Sequence, residues 1–134
     1  MSDSAPSVAK RATWLIWAGG GAAVLMVLLI ASWWLLPRYA PGVASAIGTA
    51  IPPLTRPLAD RCYRVGYDAY NDGVSSADPA TKLTRLRCAR AHFQVAQACY
   101  DQLHDEDPSD NDRANRLIET NMLYYAARKF LGAD

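Results

Sequence analysis

The stretch PATKLTRLRCARAHFQVAQACYDQLH, residues 79–104, carries the clearest periodicity in the chain. Leu86, Ala89, Phe93, Ala96, Tyr100 and Leu103 follow one another at steps of three and four. Residues at that spacing share one face of a helix, so the pattern predicts about five helical turns with one continuous apolar stripe. Arg85, Arg87, Arg90, Gln94, Gln97 and Asp101 fall mostly on other faces. Asp78 and Pro79 suit the helix start. The carboxylate accepts from first-turn amides, and proline sits where a missing amide hydrogen costs nothing.

Upstream, a first helix is expected from about Leu58 to Asp72. Ala59, Cys62, Gly66, Ala69 and Gly73 line one face with small side chains, which lets another helix pack close. Tyr63, Tyr67 and Tyr70 run beside it, either as a core edge or as the wall of a partner-binding groove. Asn71-Asp72-Gly73 is expected to end this helix, because Asn and Gly tolerate left-handed backbone.

Downstream, Asp105 to Asp112 holds five acids in eight residues. Its spacing fails as an EF-hand: Asp110 stands where glycine is required and Arg116 where the bidentate Glu belongs. The loop reads instead as a helix-capping turn, with Asp107-Pro108 repeating the device of Asp78-Pro79. A third helix, about Asn111 to Leu131, has a main face of Ala114, Leu117, Ile118, Met122 and Tyr125 and a second apolar face of Leu123, Ala127, Phe130 and Leu131. So much apolar surface exceeds what one neighbour covers. Tyr124, Phe130 and Leu131 are the candidate contacts to another chain.

At the other end, Trp14 to Leu36 is a run of 23 uncharged residues with all four tryptophans at its ends. As a helix it is about 35 Å long, sufficient to span a bilayer core, and paired tryptophans suit both interfaces. A secretory signal has a shorter apolar core of about 7 to 15 residues, which favours an uncleaved anchor over a cleaved leader. Lys10 and Arg11 before the run, against Arg38 and Arg56 after it, place the N-terminus in the cytoplasm by the positive-inside rule. Gly19 and Ala23 form a small-xxx-small pair, a candidate packing face for another membrane helix or a second copy.

Between span and domain, Pro37, Pro41, Pro52, Pro53 and Pro57 exclude one long helix. Residues 37–57 are expected as a Pro-rich juxtamembrane linker, plain or with a turn or two of helix. The division is thus a short cytoplasmic tail at 1–12, a transmembrane helix at 13–36, the linker at 37–57 and a helical domain at 58–134. The fold class is all-α: one N-terminal transmembrane helix, then a small three-helix domain.

Chemistry is sparse. Cys88 and Cys99 lie about 16 Å apart on one helix, too far to bridge. A helical hairpin brings Cys62 nearer Cys88, the candidate disulfide in an oxidising compartment. His92 and His104 are 12 residues apart on one helix and cannot share an ion. No HExxH, GxSxG, CxxC or phosphate-binding glycine loop occurs. No catalytic, cofactor or metal residue is therefore assigned. Net charge is +1, and the part beyond the span has equal numbers of acids and bases, which gives no footing for nucleic acid.

Ala89-x3-Phe93-x2-Ala96 resembles the second-helix signature of the tetratricopeptide repeat, with Gly66 and Tyr70 near the family's first-helix Gly and Tyr but one residue out of step. The resemblance covers Tyr63 to about Leu131. It implies a non-catalytic protein-binding module, and membrane-anchored proteins with such periplasmic repeats act as envelope scaffolds or translocation accessories. The expectation is a non-enzymatic accessory subunit of a bacterial envelope complex. It would sit in the inner membrane with its domain in the periplasm, and its partners would be the bilayer and another membrane or envelope protein. The rival expectation is a tethered thiol or metal protein using Cys62, Cys88, Cys99 or the loop 105–112. A third is a cleaved, secreted helical domain.

Overall fold

The computed structural model describes residues 8–132, with side chains from Ala23 onward. Among these residues every regular element is an α-helix. The chain divides into one unit ending at Leu35 and a second beginning at Leu36.

The first unit is the body of helix α1, which runs Val8–Tyr39. From Val24 to Ile30 all seven consecutive side chains are exposed, each at 57–65% of its maximum. Consecutive exposed apolar residues point in every direction round a helix, so the surface has no buried face. Among the described residues no single helix is long and apolar enough to cross a membrane; Ala23–Tyr39 and Pro41–Ala50 reach that length together, as a bent pair. Trp14, Trp17 and Gly19 of the expected span, and the tail 1–7, lie outside the residues whose side chains or backbone are described.

The second unit contains four helices: α2 (Pro41–Ala50), α3 (Pro52–Ser75), α4 (Pro79–Glu106) and α5 (Asn111–Phe130). Helices α3 and α4 form an antiparallel hairpin with the most extensive packing in the molecule, and α5 lies chiefly on α4. The small face of α3 lies inside, with Ala59, Cys62, Gly66, Ala69 and Gly73 all buried. Opposite it the whole α4 stripe is buried, from Leu86 through Phe93 to Leu103. At Gly66 the approach is closest: a β-carbon there would lie 2.9 Å from Phe93 Cε1. Phe93 in turn meets Tyr63 and Tyr70 at ring separations of 6.4 and 6.5 Å. Tyr63 and Tyr70 thus pack at the core's edge, whereas Tyr67 is exposed.

Two expected ends shift. Helix α3 continues through Gly73 to Ser75, and Leu86 packs onto Gly73, so this glycine serves close approach rather than a left-handed turn. Asp78 caps α4 through the Thr81 amide at 2.8 Å, as expected. The cap of α5, however, is Asp110, which accepts from the amides of Asp112 and Arg113. Asp107 holds Ser109 in the preceding turn instead.

The stretch 37–57, expected as a linker, is helical over most of its length. Pro41 and Pro52 each stand at the first position of a helix, where the ring's fixed φ favours helix and no hydrogen bond is lost. Pro41 and Pro52 therefore start helices, while Pro37 and Pro57 lie within α1 and α3. Helix α2 rests against α3 and α4 through Ala44 and Gly48, both buried. A β-carbon on Gly48 would fall 2.6 Å from Leu58 Cδ2 and 2.7 Å from Cys99 Sγ. The buried Thr55 hydroxyl donates to the Gly48 carbonyl at 2.7 Å and ties the start of α3 to the end of α2.

Candidate functional site

A groove lies between α3 and α5, floored by α4, with a cavity volume of about 840 Å³. Helices α3 and α5 barely touch, because α5 leans on α4, and that splay opens the groove. Arg56, Asp60, Tyr63 and Arg64 come from α3, Tyr100 and Leu103 from α4, Asp110 from the cap of α5, and Asp112, Arg113, Asn115, Arg116 and Glu119 from α5 itself.

Several of its polar groups engage one another. The Tyr100 hydroxyl donates to Asp60 Oδ1 at 2.6 Å. Burial and this adjacent carboxylate both push the Tyr100 phenol up, so it remains a donor. Tyr63 is pushed up to about 12 by burial and by its hydrogen bond with Glu119. The Arg116 guanidinium lies 4.8 Å from the Tyr63 ring centroid and 3.3 Å from Glu119. Arg113 donates to the Leu103 carbonyl at 3.1 Å and forms an ion pair with Asp110 at 2.8 Å, which joins the end of α4 to the start of α5. Four arginines face four carboxylates, so the lining is neutral overall but strongly polar. Such a groove suits a polar or mixed-charge segment read by hydrogen bonds and tyrosine faces.

The outer face of α5 is different in character. Ile118, Met122 and Tyr125 stand at steps of four and three and are 57%, 68% and 58% exposed. Of the main apolar face expected for this helix, Ala114 and Leu117 are partly buried, and the other three stand exposed. Helix α5 turns Thr120, Leu123 and Ala127 inward instead, with Thr120 and Ala127 fully buried. The Thr120 hydroxyl satisfies itself on the Arg116 carbonyl at 2.6 Å, so it can be buried without an external partner. Small side chains allow the closer helix approach, the same logic that orients α3.

Of the candidate interface residues, Tyr124 is partly buried against the Phe93 cluster. Phe130 is half-exposed, beside the Tyr70 ring at 6.2 Å and beneath the Lys82 ammonium at 5.5 Å. Leu131 is partly buried. Ala23 is exposed, and its expected partner Gly19 lies outside the described side chains.

All three cysteines are free thiols, so no Cys62–Cys88 bridge is present. Burial pushes Cys62 up to about 12, and the neighbouring charge that adds to this is Cys99 rather than Cys88. Cys99 is likewise pushed up to about 11 by burial. Thiols held protonated are poor nucleophiles and poor ligands. Cys88 Sγ lies 3.6 Å from His92 Nδ1, but that nitrogen bonds the Cys88 carbonyl at 2.9 Å. Burial lowers His92 and raises Cys88, the opposite of an activated thiolate–imidazolium pair. Among the described residues no three His, Cys, Asp or Glu side chains converge on a metal position.

Comparison with family models, with curated proteins and with solved structures gives no match for this chain. The residues that carry the tetratricopeptide resemblance, Ala89, Phe93 and Ala96, are core residues of the α3–α4 hairpin.

Proposed function

We propose that this chain is a membrane-anchored, non-catalytic interaction protein, an accessory subunit of a bacterial envelope complex with its helical domain on the periplasmic side. The observation that carries it is the uncovered apolar helix Val24–Ile30, whose side chains face outward in every direction. In water such a surface would cost about 25 cal/mol per Å² of apolar area left uncovered, whereas lipid covers it without cost. A helix that is apolar all round and not packed in a protein core fits a membrane span.

Partner binding draws on the second unit. The Ile118–Met122–Tyr125 stripe offers apolar area at one side, and the α3–α5 groove offers polar specificity close by on the same helix. Aromatic and methionine side chains in such a setting favour protein contact. Non-catalytic action accords with the pairing of several of the groove's ionisable groups to one another and with the protonated state of the buried thiols.

A photoreactive amino acid placed at Met122 in the full chain, expressed in its native host, tests the partner role. A discrete heterologous adduct from Met122, with none from Thr84 on the exposed side of α4, is the expected result. Adducts of twice the chain's mass would identify a second copy as the partner. Uncross-linked monomer at Met122 would contradict the proposal.

A further inference from the structure

A second cleft, of about 440 Å³, lies where the C-terminal end of α1 meets α4, wholly within the unit that begins at Leu36. Arg38, Arg87 and Arg90 line it, together with Gln94, Leu83 and Leu131, and no carboxylate does. Helical spacing accounts for the convergence: Leu83, Arg87, Arg90 and Gln94 stand at steps of four, three and four on the face of α4 turned away from the Phe93 core.

The α3–α5 groove differs: there Arg56, Arg113 and Arg116 each have a carboxylate within 4.0 Å. Among the described residues neither Arg38, Arg87 nor Arg90 forms a salt bridge. Three cations gathered without a counter-charge repel one another, and an anion that enters among them relieves that repulsion. Guanidinium forks match the geometry of phosphate oxygens. The rest of the lining is not that of a site for a bare ion. Leu83 is 41% exposed, Leu131 supplies a second apolar wall, and Gln94 is exposed as a hydrogen-bonding group. Charged, hydroxyl-seeking and apolar surfaces side by side correspond to a phosphodiester, a polar headgroup and the start of an acyl chain.

Position selects the source. Arg38 follows the last residue of the apolar run, Leu36, by two residues, about 3 Å of helix rise. Resting on the membrane anchor proposed above, chain connectivity alone keeps Arg38 at headgroup depth. Tyr39, beside the Arg38 guanidinium at 5.5 Å and largely exposed, is of the type that resides in that layer. We propose that Arg38, Arg87 and Arg90 form a binding site for the phosphate of an anionic phospholipid, which fixes the domain against the membrane surface beside its own anchor.

The test uses the detergent-solubilised full chain, offered phosphatidylglycerol or phosphatidylcholine at equal mole fraction and read by native mass spectrometry. Retention of phosphatidylglycerol and not phosphatidylcholine is expected, with binding about thirtyfold weaker in R87Q/R90Q. R85Q, whose arginine pairs with Asp72 at 3.8 Å and does not line the cleft, should match the unaltered chain. R38Q gives an independent reading from the other wall. Equal retention of the two lipids, or equal phosphatidylglycerol binding by R87Q/R90Q and R38Q, would overturn the proposal. Displacement of the lipid by millimolar inorganic phosphate would overturn the lipid as ligand in favour of the free ion. An alkaline wash of membranes separates the two levels: release of the chain refutes the anchor, whereas retention with unaltered lipid binding in the variants refutes this site alone.

Discussion

Gly48→Ala probes the docking of α2, the element that turns an apparent linker into part of the domain. A β-carbon at Gly48 would lie 2.6 Å from Leu58 Cδ2 and 2.7 Å from Cys99 Sγ, about 0.8 Å inside ordinary contact at 3.4 Å. Both neighbours are buried, and they belong to different helices, α3 and α4. Either these buried side chains repack within the core or α2 moves outward and strains the Thr55–Gly48 hydrogen bond. Overpacking of a well-packed site costs about 1–3 kcal/mol. Against that, alanine gains about 0.5–1 kcal/mol over glycine within a helix. The net expectation is destabilisation by about 0–2.5 kcal/mol, centred near a fall of several degrees in Tm for a domain of this size. Gly42→Ala in the same helix is the internal control, because a β-carbon there meets nothing within 4 Å. It should be neutral or slightly stabilising. Thermal melts of the full chain in mild detergent, followed by circular dichroism, give both values. Equal melting of the two variants would show that α2 does not pack on the hairpin and would refute the reasoning.

Other substitutions separate core from surface. Phe93→Ala removes the ring at the centre of the α3–α4 contact and should cost about 3–5 kcal/mol, whereas Met122→Ala on the exposed stripe should stay within about 0.5 kcal/mol, both by urea melts. Asp110→Ala should cost more than Asp78→Ala, about 1 kcal/mol for a cap alone, because Asp110 also holds Arg113. Cys62 and Cys99 titrate at about 12 and about 11 when folded, above the usual thiol range. The folded state therefore binds these protons more tightly than the unfolded one. Their contribution is complete below about pH 8.5 and is lost as pH rises toward the folded values, so the urea midpoint should fall between pH 9 and 11. His92 has the opposite sign: its lowered value favours the neutral ring, and stability should decline as pH falls below about 6.5.

The α3–α4 hairpin is legible in the sequence because each helix carries an unbroken face of one kind. Ala59 to Gly73 are small, and Leu86 to Leu103 are apolar; faces of that sort have one way to meet. Helix α2 is not, because Pro41 and Pro52 read as breaks unless their place at first helical positions is recognised. The orientation of α5 is hidden for another reason. Apolar residues surround it, so only the neighbours decide whether Met122 or Ala127 lies inside, and the short side chains of Thr120 and Ala127 permit the closer packing. The groove and the arginine cleft are assembled from residues far apart in the chain. Asp60 meets Tyr100 across 40 positions, and Arg38 shares a cleft with Arg90, pairings that no local spacing encodes. Helical period predicts each face; it does not predict which faces share a cavity.

Alkaline carbonate extraction of membranes from cells that express the full chain tests the central claim, that the exposed helix Val24–Ile30 anchors this domain in a bilayer. The account predicts that the chain stays in the membrane pellet after the wash. It also predicts that a double arginine substitution at Val27 and Leu28 weakens that retention, since each arginine at a span's centre costs about 2.5–3.5 kcal/mol on insertion scales. Recovery of the unaltered chain in the soluble fraction would contradict it.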